Sequence, residues 1–132
     1  MGAARRWPEM TAPSSLRTGA ADEADTALAV AVASAFAASG PLARADAGYV
    51  EREVQQRFAQ AVAQALELRS ALVAEAGTGV GKTFAYLVPL LLAGRRALVS
   101  TATKSLQDQL FLRDLPRLTQ ALGVPLQLAL LK

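Results

Sequence analysis

Residues 76–83 read Ala-Gly-Thr-Gly-Val-Gly-Lys-Thr, alternating glycines followed by a cation and a hydroxyl. Gly77, Gly79 and Gly81 permit the dihedrals and close approach by which a loop turns its backbone N–H groups inward around a polyphosphate. In such a loop Lys82 sets its ammonium against the outer phosphates, and Thr83 offers its hydroxyl to Mg²⁺. A helix starting there aims its positive end at the anion. The usual pattern is a glycine, four residues and Gly-Lys-Ser/Thr; here Ala76 holds the first position, and Thr78 and Val80 complete the loop. These residues predict binding of ATP or a similar nucleoside triphosphate. They leave the enzyme class open, because helicases, kinases, other ATPases and GTPases reuse the same loop.

The elements around the loop have the order such a site needs. Residues 71–74 are a short apolar run that predicts a strand entering the loop, and residues 81–92 predict the helix leaving it, closed by Gly94. Pro89 removes one internal hydrogen bond, so a kink or an end near Val88 is expected. Residues 96–100 predict a second strand, 105–113 a helix, Pro116 a break, 117–122 another turn or two before Gly123, and 126–131 a third strand. Strands alternating with helices indicate an α/β fold of the P-loop NTPase type, a parallel sheet with flanking helices.

Upstream, residues 1–21 are rich in Pro, Gly and Ser with little apolar periodicity, which predicts a disordered tail. Asp22, Glu23 and Asp25 precede an Ala-rich run at 26–38, predicting a short helix stopped by Gly40-Pro41, with residues 22–48 forming this helix and its connection. Next, Val54, Phe58, Ala61, Val62, Ala65 and Leu66 recur at helical spacing, with Arg57, Gln60 and Gln64 between them. This pattern predicts an amphipathic helix that packs on the first set and wets the second.

The chain has 132 residues, room for one domain at most, and a formal net charge of +3, far below that of a dedicated nucleic-acid binder. It has no Cys and no His, which excludes disulfides, zinc sites, imidazole catalysis and cysteine-held iron-sulfur clusters within this stretch. The run at 26–38 superficially resembles a secretory core, but acids stand where a signal would be basic. The apolar stretches read as shorter than the about 20 residues needed to span a bilayer. The expectation is a cytoplasmic protein with no membrane partner.

Residues 75–87, Glu-Ala-Gly-Thr-Gly-Val-Gly-Lys-Thr-Phe-Ala-Tyr-Leu, resemble the first motif of DinG-like DNA helicases, the bacterial relatives of XPD within superfamily 2. Alanine in the first loop position is ordinary there. Tyr49 followed by Arg52, Gln55 and Phe58 is similar to that family's adenine-side motif, with Phe58 in place of the more usual methionine. The resemblance implies that Arg52 and Gln55 recognise the base, and a glutamine amide can satisfy the adenine edge with one donor and one acceptor. Residues 100–103, Ser-Thr-Ala-Thr, with Leu-Gln-Asp-Gln-Leu at 106–110 are similar to motif Ia, which implies DNA-backbone contacts from Thr101, Thr103 and Gln107. Thr103 or Ser105 is equally suited to cap the helix that follows.

The resemblance covers about residues 49–132 and implies a partial first helicase ATP-binding domain. It implies ATP and Mg²⁺ as ligands and single-stranded or forked DNA as partner, with oligomeric state open. The Asp-Glu-x-His box, the arginine finger and the four cluster cysteines of many relatives do not occur in the chain. The expectation is therefore an N-terminal piece of a helicase that by itself binds nucleotide with little hydrolysis, any iron-sulfur cluster lying outside it. The alternatives are a non-catalytic nucleotide-binding module or a small P-loop kinase.

Overall fold

Thr26 opens the first helix by turning its side-chain oxygen onto the N–H of Ala29 at 3.2 Å, the bond that an N-cap supplies to an orphan donor. The structure, a computed structural model, describes residues 26–131; the predicted tail at 1–21 and the acids Asp22, Glu23 and Asp25 lie outside them. Helix α1 is Ala27–Phe36 and α2 is Pro41–Ala45. Helix α3 is Glu53–Leu68, and α4, Lys82–Ala93, follows the glycine-rich loop. Helix α5, Lys104–Gln109, runs through a π-turn at Leu110–Asp114 into α6, Leu115–Leu122.

One core joins these helices. Val32, Ala35 and Phe36 of α1 meet Ala59 and Ala63 of α3 and Ala85, Leu87 and Val88 of α4; Leu42, Leu110 and Leu118 extend the cluster towards α2 and α6. Burying a side chain such as Phe36 or Leu118 contributes on the order of 1.5–3 kcal/mol. Helices α3 and α4 make the most extensive contact. Their buried seam is lined by Ala59, Ala63 and Ala85, small residues that let two backbones approach closely.

This seam corrects the predicted face of α3. The deepest positions are Gln55, Ala59 and Ala63, whereas Val54 is exposed and Phe58 and Val62 are only partly covered. Close approach favours the narrow alanine stripe and leaves the bulkier set on its flank. Gln60 is not simply wetted either: its amide donates to the Ala29 carbonyl at 3.1 Å and ties α3 to α1.

Both prolines expected to interrupt helices are accommodated. Pro89 is buried inside α4, which continues to Ala93 rather than ending at Val88. Pro116 falls in the first turn of α6, where its missing N–H costs least. The preceding π-turn, closed by the Leu115 N–H on the Leu110 carbonyl, carries the chain through without a break. Pro41, expected as part of a stop, begins α2 for the same reason.

None of the three predicted strands is formed among the described residues. Segments 71–77, 95–101 and 124–131 are irregular. Val73 is 99% exposed and Leu98 82% exposed. The second and third segments flank a cavity of about 630 Å³ floored by Leu87, Leu110 and Leu115. A strand is defined by its partner's backbone as much as by its own sequence, and a short apolar run cannot close a ladder alone.

The stretch Ala27–Ala45 is long and apolar enough to cross a membrane by length and composition, with a mean hydropathy of 1.4. This corrects the expectation that every apolar stretch is too short. In the structure a turn at 37–40 divides it into α1 and α2, of which Val32, Ala35, Phe36 and Leu42 enter the shared core while Val30 stays 51% exposed.

Phe36→Ala is expected to destabilise the protein by about 3–5 kcal/mol, and Leu112→Ala, at a position 72% exposed, by no more than about 0.5 kcal/mol. Denaturant unfolding followed by circular dichroism checks both. A Phe36→Ala loss below about 1 kcal/mol would remove α1 from the core.

Candidate nucleotide-binding site

Helices α1 and α5 both begin with a threonine side chain on an orphan N–H, Thr26 and Thr103. Helix α4 begins differently. Its N-cap is Gly81, without a side chain and in the left-handed region at φ 83°, and no side-chain bond caps the first turn. The orphan N–H groups of that turn and the positive end of the helix dipole therefore face outward at Lys82 and Thr83. Gly79 is also left-handed, at φ 77°, which turns the preceding loop over the same end. Gly77, Thr78, Gly79 and Lys82 are exposed; Ala76, Val80 and Thr83 are half-buried. The arrangement suits an oxyanion with several oxygens, seated on backbone donors beside one mobile ammonium.

Two side chains from the start of α3 hold the loop from behind. The Arg52 guanidinium donates to the Gly79 carbonyl. The Gln55 amide donates to the Gly81 carbonyl at 3.0 Å and is only 7% exposed. A Cβ at Gly81 would collide with this amide, so the glycine is required both by its dihedral angles and by the glutamine behind it. Residues 27 and 26 positions apart in sequence thus meet at successive turns of one loop. Gln55 uses one amide proton here and retains its oxygen and second proton; Arg52 retains most of its five donors.

Thr83 is flanked by Tyr86, one turn along α4. Burial raises the Tyr86 pKa above the ordinary phenol value; a hydrogen bond with Thr83 lowers it, and the Asp114 charge raises it. Asp114, at the end of the π-turn, is a carboxylate only 2% exposed. It accepts from Gln109 Nε2 at 3.0 Å and from Arg113 Nε at 2.9 Å, the pairing that a buried charge needs. Nothing in the local pattern singles out Asp114, because its burial arises from the packing of α6.

The motif Ia residues Thr101, Thr103 and Gln107 line the 630 Å³ cavity. Their hydrogen bonds differ in kind. Thr101 donates its hydroxyl proton to the Thr103 carbonyl at 3.1 Å, so it has no donor left for a phosphate. Thr103 accepts from the Leu106 N–H at 3.2 Å, as a capping residue does, and retains its own proton. Gln107 donates one amide proton to the Leu131 carbonyl at 3.0 Å and retains the other.

Two further residues lie near the site: Tyr49, which opens the adenine-side pattern, and Gln56, which carries no motif signal. Tyr49 donates its hydroxyl to the Phe36 carbonyl at 2.6 Å, and Gln56 donates to the same oxygen at 3.3 Å. The sequence shows two adjacent glutamines at the start of a helix. The motif resemblance points to Gln55 alone; packing adds that its amide holds the loop and that Gln56 turns to α1.

The DEAD/DEAH box helicase family matches residues 52–130, more than half of the chain. The chain belongs to the DEAD/DEAH box helicase family. It therefore has the P-loop NTPase fold of that family, and within it the relatives are DinG-like, as the motif at 75–87 implied. The chain is 52% identical over 97 residues to the ATP-dependent DNA helicase YoaA of Escherichia coli, covering 74% of this chain and 15% of that protein. It is 48% identical over 101 residues to the protein of the same name from Haemophilus influenzae, covering 76% and 16%. It is 47% identical over 85 residues to the ATP-dependent helicase DinG of Mycobacterium tuberculosis, covering 61% and 13%. The chain thus spans about 15% of the length of the first of these relatives. No solved structure matches it significantly.

Gly81→Ala is expected to weaken ATP binding about tenfold or more, from the left-handed dihedral alone costing roughly 1–2 kcal/mol. Gly77→Ala, with nothing within 4 Å of the added carbon, is expected to change affinity by less than about threefold. Adding Gln55→Ala to Gly81→Ala relieves the collision, so the two effects should be non-additive in nucleotide titrations.

Proposed function

We propose that the protein is an ATP-dependent DNA helicase in which ATP hydrolysis drives movement along single-stranded DNA and separation of duplex. The N-terminus of α4 behind Gly81, braced by Arg52 and Gln55, supports nucleotide binding, and the match of residues 52–130 to the helicase family is the observation that carries the helicase reading. The relatives' helicase names support it.

In this reading the β- and γ-phosphates rest on the N–H groups of residues 76–83, and Lys82 neutralises charge that grows on the transferred phosphoryl group. The Thr83 hydroxyl, half-buried at the first turn of α4, fits Mg²⁺, a small hard cation that takes few protein oxygens and keeps several waters. When bound, Mg²⁺ supplies charge neutralisation between the outer phosphates. Lys82 and Thr83 are thus the residues of this chain nearest the chemistry. Arg52 and the unused edge of the Gln55 amide recognise adenine while their other donors keep the loop in shape.

Single-stranded or forked DNA runs past the start of α5. Thr103 and Gln107 each hold an unspent donor for a backbone phosphate, which reads no base and suits movement along any sequence. Thr101 joins them only by exchanging its bond to the Thr103 carbonyl. Residues 49–132 belong to the first ATP-binding domain, and segments 71–74, 96–100 and 126–131 become parallel strands once paired. Exposed Val73, Leu98 and Leu128 support that reading, since apolar edges left open favour association. A cytoplasmic location follows from the need for ATP and DNA.

In the protein expressed from its complete coding sequence, Lys82→Ala is expected to lower DNA-stimulated ATPase activity by at least about a hundredfold. Single-strand affinity should stay within about threefold, because DNA contacts are spread over many phosphates. Phosphate release and fluorescence anisotropy measure the two. Joint loss would indicate misfolding, and intact ATPase would remove the loop from the chemistry.

A further inference from the structure

The carbonyl of Phe36 is the last of α1 and has no donor within its own helix. Its ring is 1% exposed in the core, so the oxygen is held in a fixed place. Both of its lone pairs are used, one by the Tyr49 hydroxyl at 2.6 Å and one by the Gln56 amide at 3.3 Å. The second proton of that amide goes to Glu51 Oε1 at 2.8 Å, which leaves Gln56 no spare donor. The Tyr49 ring packs against the core, and burial together with the Glu51 charge raises its pKa, so the hydroxyl stays a donor at any working pH.

Tyr49 and Gln56 bracket Arg52 and Gln55. The outer pair is tied to the end of α1; the inner pair is tied to the carbonyls of Gly79 and Gly81. Segment 49–56 is therefore a bridge with one side on a buried helix end and the other on the phosphate loop. We propose that Tyr49 and Gln56 are positioning residues for base recognition, docking this bridge on the Phe36 carbonyl so that Arg52 and Gln55 meet adenine and the loop together. This rests on the reading of Arg52 and Gln55 as the adenine-recognising pair. It makes α1, which lies outside the motifs, a working part of the nucleotide site.

A purely structural role and a positioning role differ in what they do to the phosphates. Inorganic tripolyphosphate reports the loop alone, whereas ATP reports loop and base together. In the protein expressed from its complete coding sequence, Tyr49→Phe removes one donor to the Phe36 carbonyl and Gln56→Met removes the other together with the bond to Glu51, each while keeping bulk. Each is expected to raise the KM for ATP about fivefold. The kcat at saturating ATP and the affinity for tripolyphosphate should change by less than about twofold. Gln55→Ala serves as the reference for lost base recognition: because it also removes the Gly81 brace, both affinities fall, and the ATP affinity falls by the larger factor. If Gln55→Ala behaves so and neither Tyr49→Phe nor Gln56→Met raises KM, the positioning role is overturned and the adenine reading stands. If both variants lose tripolyphosphate affinity in step with ATP, their role is structural and the proposal is overturned. If Gln55→Ala leaves the ratio of ATP to tripolyphosphate affinity unchanged, the adenine reading fails and this inference fails with it.

Discussion

The close seam between α3 and α4 is the constraint on which the nucleotide end depends. Alanines at 59, 63 and 85 allow the two helices to approach until side chains at the start of α3 reach the loop at the start of α4. At that distance a Cβ at Gly81 has no room, and a glutamine in line with the alanine stripe is carried under the loop. Gln55 is thus a buried polar residue for a definite reason. Its amide satisfies a loop carbonyl that would otherwise lose its water without a partner.

This seam gives the loop two kinds of support. Behind it are hydrogen bonds to the carbonyls of Gly79 and Gly81; before it are the N–H groups of the first turn of α4, which no side chain caps among the described residues. The carbonyls are drawn back, so the amides face forward. A preformed set of donors costs less to order around an anion than a loop that must fold on binding. The start of α4 has the same logic: Gly81 is left-handed and leaves no space for a Cβ in front of Gln55, so the first turn carries no side-chain cap of the kind that Thr26 and Thr103 supply from extended backbone.

The remaining helices act on this unit from two sides. Helix α1 reaches it through the Phe36 carbonyl and through the Gln60 bond to Ala29. The α5–π–α6 run reaches it through the core at Leu110 and Leu118 and brings Asp114 close enough to influence Tyr86, the hydrogen-bond partner of Thr83. The π-turn lets one continuous rod keep the capped start of α5 beside the motif Ia residues and still bury Asp114. Pairing within that rod, from Gln109 and Arg113, makes the burial tolerable.

Local chemistry in the sequence was enough for the loop, because three alternate glycines, the last of them opening Gly-Lys-Thr, set backbone geometry and charge over a few bonds. It was also enough for the existence of α1, α3, α4 and the helical run after Thr103, where periodicity and caps act within a turn or two. Tertiary structure decided the rest. Which stripe of α3 is buried depends on how near α4 comes, so the bulkier apolar set was the wrong guide and the alanines the right one. Whether Pro116 breaks a helix depends on a π-turn upstream, and which of two adjacent glutamines faces the loop depends on helix rotation. The three apolar segments read as strands from composition, yet a strand exists only against a partner backbone, and hydrogen bonds to a partner are a property no segment carries alone.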